Sequence, residues 1–204
     1  MNIRRWMTLF GTTILIGALM AALAGIALMA TDQKFQVKGT ENWFVNIGLM
    51  ALGGLTFGAF SHMGFFAYLM LNYIARSIFK RPYTWIMTQA IIAAFVMFEI
   101  GYWTYDTNFP EYTYWAVPLA LLAAALLVAW RKTHETSSGA WVPTVFFLVA
   151  ITALETVPAF RTGSMPSLIF QMVPLFVCNA YQIMRLHRIL DRTPQSAPQT
   201  TSAS

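Results

Sequence analysis

Apolar residues in this chain gather into long runs instead of alternating with polar ones. The runs lie at Trp6 to Ala30, Trp43 to Ala75, Thr84 to Tyr105, Tyr114 to Trp130, Trp141 to Phe160 and Ser167 to Ile189. About 20 apolar residues suffice for a helix to cross roughly 30 Å of hydrocarbon. In lipid an unpaired backbone amide costs several kcal/mol, and only a helix pairs its amides within one segment. The pattern therefore predicts an all-α fold, a polytopic membrane protein built as a bundle of six transmembrane helices.

The connections between runs are short, so consecutive helices should pack as antiparallel hairpins: first with second, third with fourth, fifth with sixth. The second run is too long for its task, since a helix from Trp43 to Ala75 would reach roughly 50 Å. It must tilt, bend or protrude, and Gly53 and Gly54 offer a place to bend. Gly17, Ala21 and Gly25 on the first run and Gly54 and Gly58 on the second form stripes of small residues that let backbones approach closely. These stripes read as packing within the chain, with homo-oligomer contacts as the alternative. Residues 1–192 form one transmembrane domain in this reading. Residues 193–204 are polar with two prolines and are expected to form a disordered cytoplasmic tail.

Composition agrees with a lipid solvent: 57% of the 204 residues are hydrophobic and 10% charged, against the ~25% charge usual in soluble domains. The net charge of +5 does not indicate nucleic acid, because the basic residues stand beside apolar runs and form no continuous soluble face. Their distribution sets orientation instead. With the N-terminus inside, the cytoplasmic set is Arg4, Arg5, Arg76, Lys80, Arg81, Arg131, Lys132, Arg185, Arg188 and Arg192, while Lys34, Lys38 and Arg161 lie outside. Cytoplasmic loops carry the excess of Lys and Arg, so both termini are expected in the cytoplasm. Trp6, Trp43, Trp103, Trp115, Trp130 and Trp141 fall near run ends, where interfacial aromatics belong. The first run resembles a secretory signal through Ala22, Leu23 and Ala24, but its apolar stretch exceeds a 7 to 15 residue h-region and reads as an uncleaved helix.

Ionisable groups inside a membrane helix are costly and are candidates for function. Three qualify: His62 on the second helix, Glu99 on the third and Glu155 on the fifth. Glu99 and Glu155 should reach similar depth. If they face each other, the pair can share a proton or bind a cation; otherwise each is a carboxylic acid hydrogen-bonded to Gln89, Gln171, Thr152 or a tyrosine to fix helix packing. His62 has no second intramembrane histidine, since His134 and His187 fall at the cytoplasmic side, and Cys178 is the single cysteine. No metal site, haem pair, cofactor motif or nucleophile pattern is legible, so no catalytic residue is assigned.

The stretch from Phe60 through Ser61, His62, Met63, Gly64, Phe65, Phe66, Ala67, Tyr68 and Leu69 to Asn72 and Tyr73, continuing to Ser77, Ile78, Phe79, Lys80 and Trp85, resembles the KinB-signalling pathway activation protein family (KbaA). The resemblance implies a small multispanning, non-enzymatic protein of the bacterial cell membrane, required for a membrane sensor histidine kinase to feed the sporulation phosphorelay. Tyr68 and Asn72, at the inner end of the second helix, are then the candidate partner contacts. The alternative from the residues alone is a small proton- or cation-coupled transporter using Glu99 and Glu155.

The charge count generates a topology test. A fluorescent protein fused after Ser204 should fluoresce in a bacterial host, while alkaline phosphatase at the same point should be inactive. The reverse result would invert the bundle.

Overall fold

A computed structural model describes residues 3–31, 42–106 and 109–190. The expected tail at 193–204 lies outside these residues. Among the described residues there are six helices long and apolar enough to cross a membrane: α1 (Ile3–Thr31), α2 (Trp43–Ile78), α3 (Pro82–Asp106), α4 (Thr113–Glu135), α5 (Ser138–Phe160) and α6 (Met165–Leu190). All six expected spans are present, each beginning or ending a few residues beyond its apolar run.

α2 runs unbroken from Trp43 to Ile78 through Gly53 and Gly54. Its start is capped by Asn42, whose side chain accepts from the Phe44 amide at 3.0 Å, pairing one of the amides a helix start leaves open. The expected hairpins α1–α2, α3–α4 and α5–α6 all form. The first is the tightest. A Cβ on Gly17 would strike the backbone of Gly54 and Gly58, and one on Gly54 would strike Gly17, Ala18 and Ala21. The small-residue stripes thus bring the two backbones of one chain together.

The sequence pattern does not show where the last helix goes. α6 packs on its hairpin partner α5 and also along α1 and α2. Its contact with α1 includes the Cys178 thiol donating to the Thr13 carbonyl at 3.5 Å and the Tyr181 hydroxyl donating to Thr12 Oγ1 at 3.1 Å.

α5 is the most enclosed helix, with Phe146, Phe147, Leu148 and Val149 all buried in succession. An α-helical stripe cannot bury four consecutive side chains against one neighbour, so α5 must be surrounded. It is flanked by α3, α4 and α6 and touches α2. Phe147–Ile151 widen into a π-helical turn before regular α-helix resumes at Thr152. An inserted turn of this kind rotates the helix beyond it, and that next stretch carries Thr152 and Glu155.

Neighbouring glycines supply the test of the α1–α2 contact. Gly54→Val should lower stability by ~1–3 kcal/mol through overpacking. Gly53→Ala, whose Cβ would meet nothing within 4 Å, should be neutral or slightly stabilising. Thermal unfolding of the purified variants in detergent reads the difference; equal melting would remove the close-approach account.

Candidate functional site

Three helices contribute a polar seam to the apolar interior. On α2, Ser61, His62, Phe65 and Tyr68 are buried and lie at helical spacing on one face. On α6, Leu175, Cys178, Asn179, Gln182 and Ile183 are buried, again on one face, with two carboxamides three residues apart. α5 adds Thr152 and Glu155 just beyond its π turn.

Six of these side chains form one continuous chain of hydrogen bonds. His62 Nδ1 meets Gln182 Oε1 at 3.0 Å, Gln182 Nε2 donates to Ser61 Oγ at 2.6 Å, and Ser61 Oγ donates to Asn179 Oδ1 at 2.9 Å. Asn179 Nδ2 then donates to Glu155 Oε2 at 2.8 Å and to Thr152 Oγ1 at 3.1 Å. With the carboxamides oriented this way, His62 must carry its hydrogen on Nδ1, and every donor points from His62 toward Glu155. The His62 ring packs against Phe10 and Phe66, with centroids 4.9 and 4.8 Å away.

Glu155 is fixed on several sides. Gln171 donates to its backbone carbonyl at 3.2 Å, while the carboxyl oxygen Oε1 is buried without a hydrogen bond. Gly64 on α2 makes the space for that oxygen, because a Cβ there would strike Oε1 and the Ile151 side chain. The arrangement holds α2, α5 and α6 in register, each neutral hydrogen bond contributing ~0.5–1.5 kcal/mol net and each orphaned partner costing ~1–3 kcal/mol. It is a poor proton wire: Gln182 and Asn179 stand in the path, and a carboxamide does not readily accept a proton at one end and release another from its nitrogen.

The three intramembrane ionisable residues therefore divide. His62 and Glu155 belong to one network. Glu99 does not: it is half-buried on α3, and among the described residues no hydrogen bond or ion pair joins it to Glu155. Of the partners expected for a carboxylic acid, Gln171 touches the Glu155 backbone, and the carboxyl group's own partner is Asn179, reached from α6. Asn179, Gln182 and Ser61 escaped the sequence reading. The available signal was the pair of carboxamides on the Leu175–Ile183 stripe of an otherwise apolar helix.

A second cluster lies where α2 turns into α3. Trp85 Nε1 donates to Asn72 Oδ1 at 2.7 Å, and the Phe79 ring stacks on Trp85 at 5.7 Å. Tyr68 is 2% exposed. Its hydroxyl donates to the Pro143 carbonyl at 3.4 Å and stands near the side chains of Asn72 and Gln89. A cleft of about 460 Å³ opens here, walled by Asn72, Trp85, Gln89 and Pro143 with Arg76 and Lys80 at its rim. Gln89 is fully buried, and neither atom of its amide reaches hydrogen-bond geometry with a neighbour. Such groups are rare in native interiors.

The residues that carry the resemblance, from Phe60 to Trp85, thus contribute to both clusters, and comparison with known proteins extends the likeness to most of the chain. The family model KbaA, described as KinB-signalling pathway activation in sporulation, matches residues 17–189. The chain belongs to this family. A curated relative, the KinB-signaling pathway activation protein of Bacillus subtilis (strain 168), is 28% identical over 198 residues, covering 91% of this chain and 97% of the relative. No solved structure matches. The KbaA family is one of signalling activation in sporulation and is not a known enzyme family. Among the described residues no group of three His, Cys, Asp or Glu stands together to hold a metal.

The fit of Gly64 to Glu155 is testable by a double-mutant cycle. Gly64→Ala should destabilise the native chain by ~1–3 kcal/mol and cost measurably less in a Glu155→Ala background, where the struck oxygen is gone. Unfolding in a denaturing detergent reads both. Additive effects, within about 0.5 kcal/mol, would break the link between the two residues.

Proposed function

We propose that this protein is a membrane-embedded, non-enzymatic accessory of a sensor histidine kinase in the bacterial cell membrane. It contacts the kinase directly and favours the kinase state that feeds the sporulation phosphorelay. A partner shifts a kinase only by binding one of its states more tightly than another, so the function requires a contact surface and no reacting group. Membership of the KbaA family supplies the pathway. The observation that carries direct contact is the end of α2.

There the helix reaches beyond what a bilayer needs, its 36 residues amounting to roughly 54 Å at 1.5 Å per residue. Its last turns expose Tyr73 (75%), Ile74 (47%) and Ile78 (67%) beside Arg76, a mixture of apolar and basic groups suited to a protein partner at a membrane boundary. With both termini placed in the cytoplasm by the charge count, this end faces the compartment in which a kinase phosphorylates. Asn72 gives the surface a polar group, with Gln89 buried behind it. Buried Tyr68 acts from behind, holding Asn72 and the start of α5 in place. The transporter alternative needs Glu99 and Glu155 together, and no bond joins them.

Affinity capture of the tagged full chain from a sporulating host, in mild detergent, tests the proposal. A multispanning histidine kinase should be enriched, and Asn72→Ala or Tyr73→Ala should lower its recovery several-fold while Gly53→Ala does not. Absence of any kinase from the capture, with the chain intact and active in the host, would end the direct-contact reading. Deletion of the gene without effect on kinase-dependent phosphorelay output would end the functional one.

A further inference from the structure

Glu99 is the intramembrane acid that the polar seam leaves out. It precedes the end of α3 at Asp106 by seven residues, roughly 10 Å at 1.5 Å per residue. Among the described residues no hydrogen bond or ion pair reaches its carboxyl group. Ionisable side chains in membrane helices are costly, and as a rule they face the bundle interior or pair with one another. Glu155 follows that rule through Asn179. Glu99 does not.

Its direction follows from its neighbours on α3, because side chains three and four residues apart share a helix face. Phe95 and Tyr102 stand at those spacings and are more than half exposed; Ile92, a further turn away, is exposed too. The core side of α3 is a different stripe: Gln89, Ala93, Ile100 and Thr104, all buried. Half-buried Glu99 therefore stands at the margin of the face that looks away from the bundle. The same end of α3 is held to the bundle by Tyr105 against Tyr114 of α4 and Trp103 against Phe160 of α5.

A carboxyl group at the edge of an apolar face, unanswered by the helices beside it, calls for a partner that brings the missing group. We propose that this face of α3 receives a transmembrane helix of the kinase, with a Lys or Arg on that helix at the depth of Glu99. The inference rests on the kinase reading and adds a contact within the bilayer to the one at the end of α2. Charge selects the occupant. From Pro82 to Asp106 α3 carries no basic residue, so two copies of this chain pairing symmetrically through α3 would set acid against acid. A wholly apolar helix, or lipid, would leave the carboxyl group unmet. An acid that only a suitably placed base can answer also discriminates against wrong partners.

The test is photocrosslinking in a sporulating host, with the full chain carrying a photoreactive amino acid at Phe95, at Tyr73 or at Leu19, which is exposed on α1. Phe95 should capture the kinase, at a site that mass spectrometry maps close to a Lys or Arg in one of its transmembrane helices; Leu19 should not. Glu99→Gln should lower the Phe95 yield about tenfold through loss of a charge-assisted bond. Glu99→Lys should abolish it until the mapped base is changed to Glu. In the purified protein Glu99→Leu should melt at or above the wild-type temperature, since no bond within the chain is lost. That readout covers the whole chain, including Lys34 and Lys38 outside the described residues, because an internal partner would show as a lower melting temperature. Capture from Tyr73 without capture from Phe95 would overturn the inference and leave the kinase reading standing; capture from neither would overturn both. Equal capture from Leu19, a Phe95 crosslink to a second copy, a failed charge exchange or a lower melting temperature for Glu99→Leu would each overturn it as well.

Discussion

A carboxyl group placed inside an apolar bundle must be met by hydrogen bonds or it opposes the packing around it. In this protein that demand falls on Glu155, and much of the interior is arranged to answer it. Asn179 comes from α6, Gln171 holds the backbone beside it, and Gly64 on α2 withdraws to leave room. The π turn at Phe147–Ile151 precedes this point and sets the direction in which Thr152 and Glu155 leave the helix. Hydrophobic burial cannot drive helices together in lipid as it does in water, so close backbone contact and interhelical hydrogen bonds hold the bundle. The α1–α2 glycine contact supplies the first and the His62-to-Glu155 chain the second.

The two contributions differ in what they specify. Glycine against glycine sets a distance but tolerates sliding along the helix, because backbone atoms repeat. A directed chain of unlike donors and acceptors tolerates none. Moving α6 by one turn against α2 would part His62 and Ser61 from Gln182 and Asn179 at once. The seam therefore gives the bundle a single alignment, and it fixes where α2 stands relative to the α5–α6 pair. The last turns of α2, with their proposed kinase-facing surface, inherit that position.

The architecture was legible in the sequence because the bilayer imposes it: run length fixes the spans, and short loops fix the hairpins. The Gly17, Gly54 and Gly58 stripes were readable for the same reason, since only close approach rewards residues that small. What could not be read was pairing between distant helices. Glu99 and Glu155 look equivalent in sequence, each a lone acid in an apolar run. Yet Glu155 sits among three helices, while Glu99 is half-buried on α3 and stands outside that network. Depth along the membrane comes from counting residues. The direction in which a residue faces around the bundle does not, and the π turn in α5 shifts it further. Tyr68 illustrates the same limit, reading as the exposed end of a long helix while lying beneath it against Pro143.

The contact of Cys178 with the Thr13 carbonyl gives this chain a built-in reporter. Its sulfur is wholly enclosed where α6 meets α1, and the sequence contains no other thiol. Alkylating reagents should find nothing to modify while those helices remain joined. Any event that parts them, such as a partner prying at the bundle, would be recorded as covalent mass on one known atom.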